Sequence, residues 1–183
     1  MKKTNVFDYT KWFLENNLDT PRNTFKGNMK LQKLLFFAQL ISLAKNNKLL
    51  FNEEFCAFEN GMVMENVRLK YKNNLDELLN YKRNELTNEE LEILELTKNI
   101  YGYENADTLS NMTHQFEYWK KYLQISSKTG LPLKNNYCNY FDILNDSSIA
   151  TNTFLIQDQK DNDLSFIYCN KEQRNNNCIH KKY

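Results

Sequence analysis

The stretch NMTHQFEYW, residues 111–119, contains the side chains with the widest chemical range in the chain. His114 is one of only two histidines and Trp119 one of only two tryptophans. An imidazole can act as a general base, bind a metal or hydrogen-bond to backbone groups. The first of these roles requires a positioned nucleophile or carboxylate beside the ring. The nearby candidates in the sequence are Ser110, Asp107 and Glu117.

Such residues surround many histidines, so their presence gives only a weak catalytic signal. The sequence contains no G-x-S-x-G, HExxH, phosphate-binding-loop or G-x-G-x-x-G motif. A metal site could use Cys169, Cys178 and His180, but these residues lack the paired C-x₂-C spacing of structural zinc sites. We therefore predict no catalytic residue, no metal and no cofactor.

A structural interpretation of the same stretch needs fewer assumptions. Thr113 is a suitable N-cap for a helix that begins near Gln115. His114 can then bind backbone groups where two short helices meet, because buried polar groups need such partners. Trp119 follows about one turn later and can fill the core while its N–H reaches a polar neighbour. We interpret Thr113, His114 and Trp119 as a helix-junction lock, with contact to a partner as the alternative.

The composition excludes some functions and favours one fold class. The 183 residues include 24 Lys and Arg against 23 Asp and Glu, a formal charge of +1. A protein without a basic excess has no compositional support for nonspecific nucleic-acid binding. The chain has only 4 Gly and 2 Pro, which disfavours folds rich in tight turns and favours long helices. We predict a mainly α protein.

Cysteine spacing and hydropathy indicate a cytoplasmic protein with reduced thiols. None of the four cysteines, Cys56, Cys138, Cys169 and Cys178, forms a C-x-x-C pair. The start, MKKTNVFDYTKWF, lacks the continuous apolar region of a signal peptide. The best apolar run, LLFFAQLISLA from Leu34, is about half the length that a transmembrane helix needs.

Hydrophobic periodicity predicts one helix that is apolar on nearly all sides, over Asn28–Asn46. Lys30 and Lys33 lie near its predicted start, where we interpret them as solvated side chains whose stems lie along the surface, with contact to a partner as the alternative. The pattern around FNEEFCAFENG predicts a short hairpin near Phe55–Phe58. Further helices are predicted over about 6–17, 64–72, 87–102, 106–112, 116–125 and 134–144.

The sequence pattern changes after Asp146, where two short β-prone runs are separated by a polar turn and followed by a Lys-rich tail. We predict a compact multi-helix domain over 1–145, built around one buried central helix and carrying a small β element. Residues 146–183 are predicted to form a hairpin-like C-terminal appendage with a frayed end.

Four blocks of sequence, in this order, resemble the Panacea domain family, also known as the SocA-like, phage-associated antitoxin domain. The resemblance covers about residues 5–145. The blocks are MKLQKLLFFAQ (29–39), FNEEFCAFENG (51–61), LTNEELEILELTKNIYG (86–102) and LSNMTH followed by YW (109–119). The family pattern has Asn-Gly-Pro-x-x-Pro, whereas this chain has Met62 and Glu65 in place of both prolines. Tyr118 likewise replaces the proline before Trp119.

The resemblance implies a compact helical domain without enzymatic activity that neutralises a toxin by direct contact. Some members of the family act as adaptors that deliver the toxin to an AAA+ protease. The leading hypothesis is therefore an antitoxin-like protein-binding module. One alternative is a phage-encoded inhibitor of a bacterial immune effector, such as a guide-dependent defence nuclease. The other is a small enzyme with a site near His114.

The predicted partner surface is the segment ENGMVMENVRLKYK, where the chain departs most from the family pattern. Asn60 and Gly61 can form a turn with positive φ, and methionines adapt to irregular partner surfaces. The basic residues that follow can meet an acidic protein surface or compete for a nucleic-acid channel. The alternative is that the methionines fill the core and the basic residues are solvated. The predicted contact residues are Lys30, Lys33, Asn60, Gly61, Met62, Met64, Arg68 and Lys72.

Overall fold

The computed structural model describes residues 4–46, 48–116, 119, 120 and 123. This part of the chain contains six α-helices and one two-stranded antiparallel sheet, which confirms the predicted mainly α fold. The elements are α1 Val6–Glu15, α2 Phe25–Asn46, β1 Cys56–Phe58, β2 Gly61–Val63, α3 Glu65–Asn73, α4 Leu75–Leu79, α5 Asn88–Tyr101 and α6 Ala106–Thr113.

Most predicted elements are present, with shifted ends. Helix α2 begins at Phe25, three residues before the predicted start, and α1 ends at Glu15. The five-residue helix α4 was not predicted. The helix predicted over 116–125 is described only in part. The helix predicted over 134–144 and the appendage predicted over 146–183 lie outside the described residues. No helix in the described part of the chain is long and apolar enough to cross a membrane.

Helix α2 forms the centre of the core because it is buried on all sides. It packs against α1, α3, α5, α6 and the β1–β2 hairpin. The predicted apolar stripe is buried together with residues on its other sides, which are Leu31, Leu34, Leu35, Phe36, Phe37, Ala38, Ile41 and Leu43. Such a helix must be enclosed by the rest of the domain.

Aromatic rings connect α2 to distant parts of the chain. The ring of Phe36 makes edge contacts with Phe55 at 5.4 Å and with Phe116 at 5.7 Å between centroids. On the next position, Phe37 stacks on Tyr101 of α5 at 4.1 Å. These geometries are among the favoured arrangements of aromatic pairs, so they fix α2 against the hairpin, α5 and the end of α6.

Hydrogen bonds at the start of α5 connect this helix to α1 and the residues before it. The predicted capping box of α5 is present, with Thr87 and Glu90 satisfying each other's backbone N–H groups. The same Glu90 carboxylate accepts hydrogen bonds from Tyr9 at 2.5 Å and from Thr4 at 2.7 Å. Burial raises the pKa of the Tyr9 hydroxyl, so it remains a donor to Glu90. Helix α5 ends at Gly102, as predicted.

Truncation of a buried side chain in the central helix α2 should lower the free energy of unfolding. Leu34 is fully buried in the α2 core, so Leu34→Ala should lower the free energy of unfolding by roughly 2–5 kcal/mol, as for other buried leucines. Leu69, which is 40% exposed, provides the matched Leu→Ala control. Urea denaturation of the two variants measures the difference. Equal losses in both would place Leu34 outside the core.

Candidate functional site

A cavity of about 400 Å³ opens between the first turns of α2, the β1–β2 hairpin and α3. Its walls combine cationic, aromatic and amide side chains. The cations are Lys33, Arg68 and Lys72, and the described lining residues include no Asp or Glu. In a chain with a formal charge of +1, this cavity is a local concentration of positive charge.

The hairpin that closes one side of the cavity turns at Glu59 and Asn60, and Gly61, which was predicted to form the turn with Asn60, begins β2. Strands β1 and β2 pair with Phe58 opposite Gly61 and Cys56 opposite Val63. Gly61 has a φ of +91°, and a Cβ there would lie 2.0 Å from the Thr113 hydroxyl and 3.0 Å from Lys33 Nζ. Only glycine combines this backbone conformation with this close approach. The turn therefore packs directly on α2 and α6.

Lys33 is completely buried, so its predicted solvated position was wrong. Because α2 begins at Phe25, Lys33 lies in the third turn and faces the hairpin rather than solvent. Its ammonium donates a hydrogen bond to the Met62 carbonyl at 2.8 Å. Burial lowers the pKa of Lys33 to about 7, because the charged form loses its hydration.

Lys30 was also predicted to be solvated and is buried instead. Its ammonium donates to the carbonyl of Gly102 at 2.7 Å. This bond satisfies one of the carbonyls at the end of α5 that have no partner within the helix. Burial lowers the pKa of Lys30. Lys30 thus ties α2 to α5 and does not line the cavity.

Two buried amides connect α2 to α3 behind the cavity. The Gln32 carbonyl oxygen accepts from the N–H of Met64 at 2.8 Å, immediately before α3 begins. The Asn28 amide donates to the carbonyl of Arg68 at 3.0 Å, and Gln32 donates to Asn28 at 3.3 Å. These bonds position α3, and hence its basic side chains, along the cavity.

Those basic side chains differ in how far their charge is compensated. The Arg68 guanidinium binds both carboxylate oxygens of Glu65, at 2.6 and 2.7 Å, and lies 5.6 Å from the ring centroid of Phe58. The hydrogen bond to Glu65 raises the pKa of Arg68. Lys72 is exposed, and no ion pair within the described residues involves it. Lys72 therefore offers a free charge at the cavity, whereas Arg68 offers a planar group held in place.

The two methionines of the predicted contact segment belong to the core. Met62 and Met64 are 0% and 1% exposed. The alternating direction of side chains in an extended segment turns both inward from β2. Their prediction as adaptable surface contacts was wrong, and the alternative that they fill the core describes their position.

His114 connects the end of α6 to the hairpin. Its ring stacks on Trp119 at 4.1 Å with an interplanar angle of 17°, and Trp119 donates its indole N–H to the Phe58 carbonyl at 3.0 Å. Burial lowers the pKa of His114 and the charge of Lys33 lowers it further, while a hydrogen bond to the Glu59 backbone acts in the opposite direction.

The groups that could assist His114 in catalysis are engaged elsewhere or lie outside the described residues. The Ser110 hydroxyl lies 3.4 Å from His114 Nε2 but donates to the Asn60 carbonyl at 2.9 Å. Asp107 forms an ion pair with Lys26. Glu117 is not among the described residues. The contacts around this imidazole therefore join segments of the fold.

Thr113 is the last residue of α6, and its hydroxyl donates to the Ser110 carbonyl at 2.7 Å. The helix start that it was predicted to cap lies partly outside the described residues. Within those residues, no group of three His, Cys, Asp or Glu side chains is placed to hold a metal ion. Cys169, Cys178 and His180 fall in the part of the chain that the structure leaves undescribed.

The structure brings four of the predicted contact residues to one cavity: Lys33, Asn60, Arg68 and Lys72. Sequence reasoning missed Phe25, Gln32 and Tyr71, which line the same cavity. Phe25 was missed because the start of α2 was placed too late. Gln32 and Tyr71 are single residues whose position depends on how α2 meets α3, and no local pattern indicates it.

These features define a class of protein: a mainly α domain that is built around one enclosed helix and has a cavity lined by cations. Residues 31–120 match the family model described as antitoxin SocA-like, Panacea domain. This match, over about half of the chain, confirms the predicted resemblance to the antitoxin-like family. The family is not a known enzyme family. No curated protein and no solved structure gives a significant match to the chain.

The buried ammonium of Lys33 should make stability depend on pH. Its folded-state pKa of about 7 lies below the ordinary value of 10.5, so the unfolded chain binds more protons between these pH values. Stability therefore rises with pH in this window, because the cost of burying the charge disappears as Lys33 loses its proton. Lys33→Met should remove this rise, which amounts to a few kcal/mol.

Urea denaturation between pH 6.5 and 9.5 measures the effect as the difference between the wild type and Lys33→Met. Lys72→Met, at an exposed lysine of the same cavity, controls for the loss of one positive charge. A difference between the wild type and Lys33→Met that stays constant over this pH range would contradict the prediction.

Proposed function

We propose that this protein is an antitoxin-like module that neutralises a partner protein by direct contact. The observation that carries the proposal is the family match, because the matched residues 31–120 include every charged residue of the cavity. Toxin neutralisation is what the family description indicates. The cavity and its rim provide a surface on which a protein partner can be recognised.

We propose that the partner contacts the cavity mouth, where Arg68, Lys72 and Phe25 lie. Phe25 is 67% exposed, and large aromatic side chains at a surface often act as anchors in protein interfaces. Arg68 is held in a fixed orientation by Glu65 and Phe58, so little side-chain entropy is lost when it binds. This combination fits an acidic partner surface with an apolar centre.

The proposed domain includes α1, although that helix precedes the matched residues. Tyr9 and Thr4 bind Glu90 of α5, and α1 contributes Phe13 and other residues to the core. We therefore extend the functional unit over 1–145, with 146–183 as an appendage. Action in the cytoplasm and delivery of the neutralised partner to an AAA+ protease are further parts of the proposal.

The partner can be identified by affinity capture of the tagged full-length chain from its native host, followed by mass spectrometry. Co-expression then tests neutralisation: the captured protein should arrest growth when expressed alone, and this chain should restore growth. Catalytic turnover as the means of neutralisation, or restored growth without a stable complex, would contradict direct contact.

Reversing the charge at the cavity mouth should slow association. Arg68→Glu combined with Lys72→Glu should lower the association rate with the partner roughly 10- to 100-fold at low salt and weaken its salt dependence, because complementary charges accelerate encounter. Surface plasmon resonance at several ionic strengths measures both quantities.

The matched control is Lys45→Glu combined with Lys48→Glu, at two surface lysines paired with Glu92 and Glu89. Lys45 is twelve residues beyond Lys33 along α2, or about 18 Å. An equal effect of both double variants would point to net charge alone. Wild-type rate and salt slope in the Arg68 and Lys72 variant would place the interface elsewhere.

His114→Gln should leave neutralisation intact, because the imidazole is proposed to hold α6 and the hairpin together without chemistry. Glutamine retains a hydrogen-bond donor but loses the stack on Trp119. Near-ultraviolet circular dichroism should therefore change, and the complex with the partner should still form. A folded His114→Gln protein that binds its partner but no longer neutralises it would indicate a chemical role for the ring.

A further inference from the structure

Lys33 lies buried in the wall of the cavity, and no Asp or Glu among the described residues pairs with its ammonium. Lys33 has three ammonium N–H groups, and the hydrogen bond described for it is the one to Met62. Burial lowers its pKa, and no ion pair within the described part of the chain involves it. Buried charges in proteins are normally paired. An unpaired ammonium in the wall of a cavity suggests that the counter-charge comes from outside the chain.

The surroundings of Lys33 define what kind of anion fits. Phe58, Val63 and Met29 give the cavity apolar walls, while Gln32 and Asn28 are engaged with α3. Arg68 already has Glu65 as its counter-ion, and Lys72 is exposed to solvent. The enclosed part of the cavity therefore has one uncompensated positive charge and walls that favour an apolar body.

We propose that this cavity binds a carboxylate carried on a compact apolar or aromatic group, and that the carboxylate pairs with Lys33. A single negative charge matches the single uncompensated ammonium, whereas a phosphate dianion would need a second enclosed cation. The carboxylate has two sources: an acidic group of the protein partner, in which case this inference rests on the proposed function, or a free small molecule.

Access to Lys33 requires a small adjustment of the cavity wall. Lys33 has no exposed surface, but its four-carbon stem is flexible and its ammonium can reorient among nearby acceptors. A carboxylate that enters along the wall can bind an N–H that Met62 does not use. The cavity volume of about 400 Å³ lies in the range of small-ligand sites.

The test uses the full-length chain and two probes that differ only in charge: N-acetyl-phenylalanine, with a free carboxylate, and N-acetyl-phenylalanine amide. The acid should bind with a Kd of about a millimolar, as expected for a ligand of this size. The amide should bind at least tenfold more weakly. Two-dimensional NMR titration measures both and locates the site. Equal binding of the two probes by the wild type, or no binding of the acid, would overturn the proposal.

Two variants then test whether Lys33 supplies the positive charge that pairs with the carboxylate. Lys33→Met should abolish the preference for the acid, whereas Lys48→Met, at an exposed lysine outside the cavity, should change the affinity less than threefold. Retention of the acid preference in a folded Lys33→Met protein would overturn the proposal. If Lys33→Met does not fold, the comparison of acid and amide on the wild type still decides it.

The source of the carboxylate follows from competition with the partner. Displacement of the partner by saturating N-acetyl-phenylalanine assigns the cavity to an acidic group of that protein. Simultaneous binding of both assigns it to a free carboxylate. A Lys33→Met protein that loses the probe but still neutralises its partner leaves the proposed function intact, so the two proposals can fail separately.

Discussion

A helix enclosed on every side must place its polar side chains inside the protein, and this constraint shapes the whole domain. Helix α2 meets it by directing each buried polar group to the backbone of another segment. Gln39 binds the N–H groups of Leu50 and Phe51 and the Phe51 carbonyl. Ser42 binds the carbonyl of Lys48. The bonds of Lys30, Gln32 and Lys33 act in the same way on α5, α3 and β2. Hydrogen bonds of this kind satisfy groups that would otherwise be costly to bury.

The same constraint places Lys33 in the wall of the cavity. Five of the six polar side chains of α2 that bind distant backbone in this way are neutral or bind a carbonyl at a helix end, where the partial charge is negative. Lys33 is different, because its amine carries a full charge when protonated and the hydrogen bond described for it is to one strand carbonyl. Its burial costs stability, and the domain tolerates this cost at the point where the hairpin, α2 and α6 come together. In the proposal made for this cavity, ligand binding and stability therefore compete at one side chain.

Local sequence patterns predicted the features that depend on neighbours in the chain. The apolar character of α2, the capping box of Thr87 and Glu90 and the positive φ of Gly61 each follow from residues close together in the chain. The burial of Lys30 and Lys33 could not be predicted, because it depends on where distant carbonyls meet the helix. The stack of His114 on Trp119 could not be predicted either, because spacing in the sequence does not show which rings lie face to face. Helix α4 is too short for a periodic signal.

The hydrogen bonds from α2 to the backbone of neighbouring segments affect how the sequence of such a domain can diversify. Gln32 binds the backbone at the entry to α3, Lys33 binds the backbone of the hairpin, and Gln39 binds the backbone of the segment after α2. These backbone atoms are the same whatever side chains the segments carry. The scaffold thus holds the path of the polypeptide while leaving the outward-facing side chains unconstrained. Substitutions there can accumulate without loss of the fold, which gives one framework many recognition surfaces.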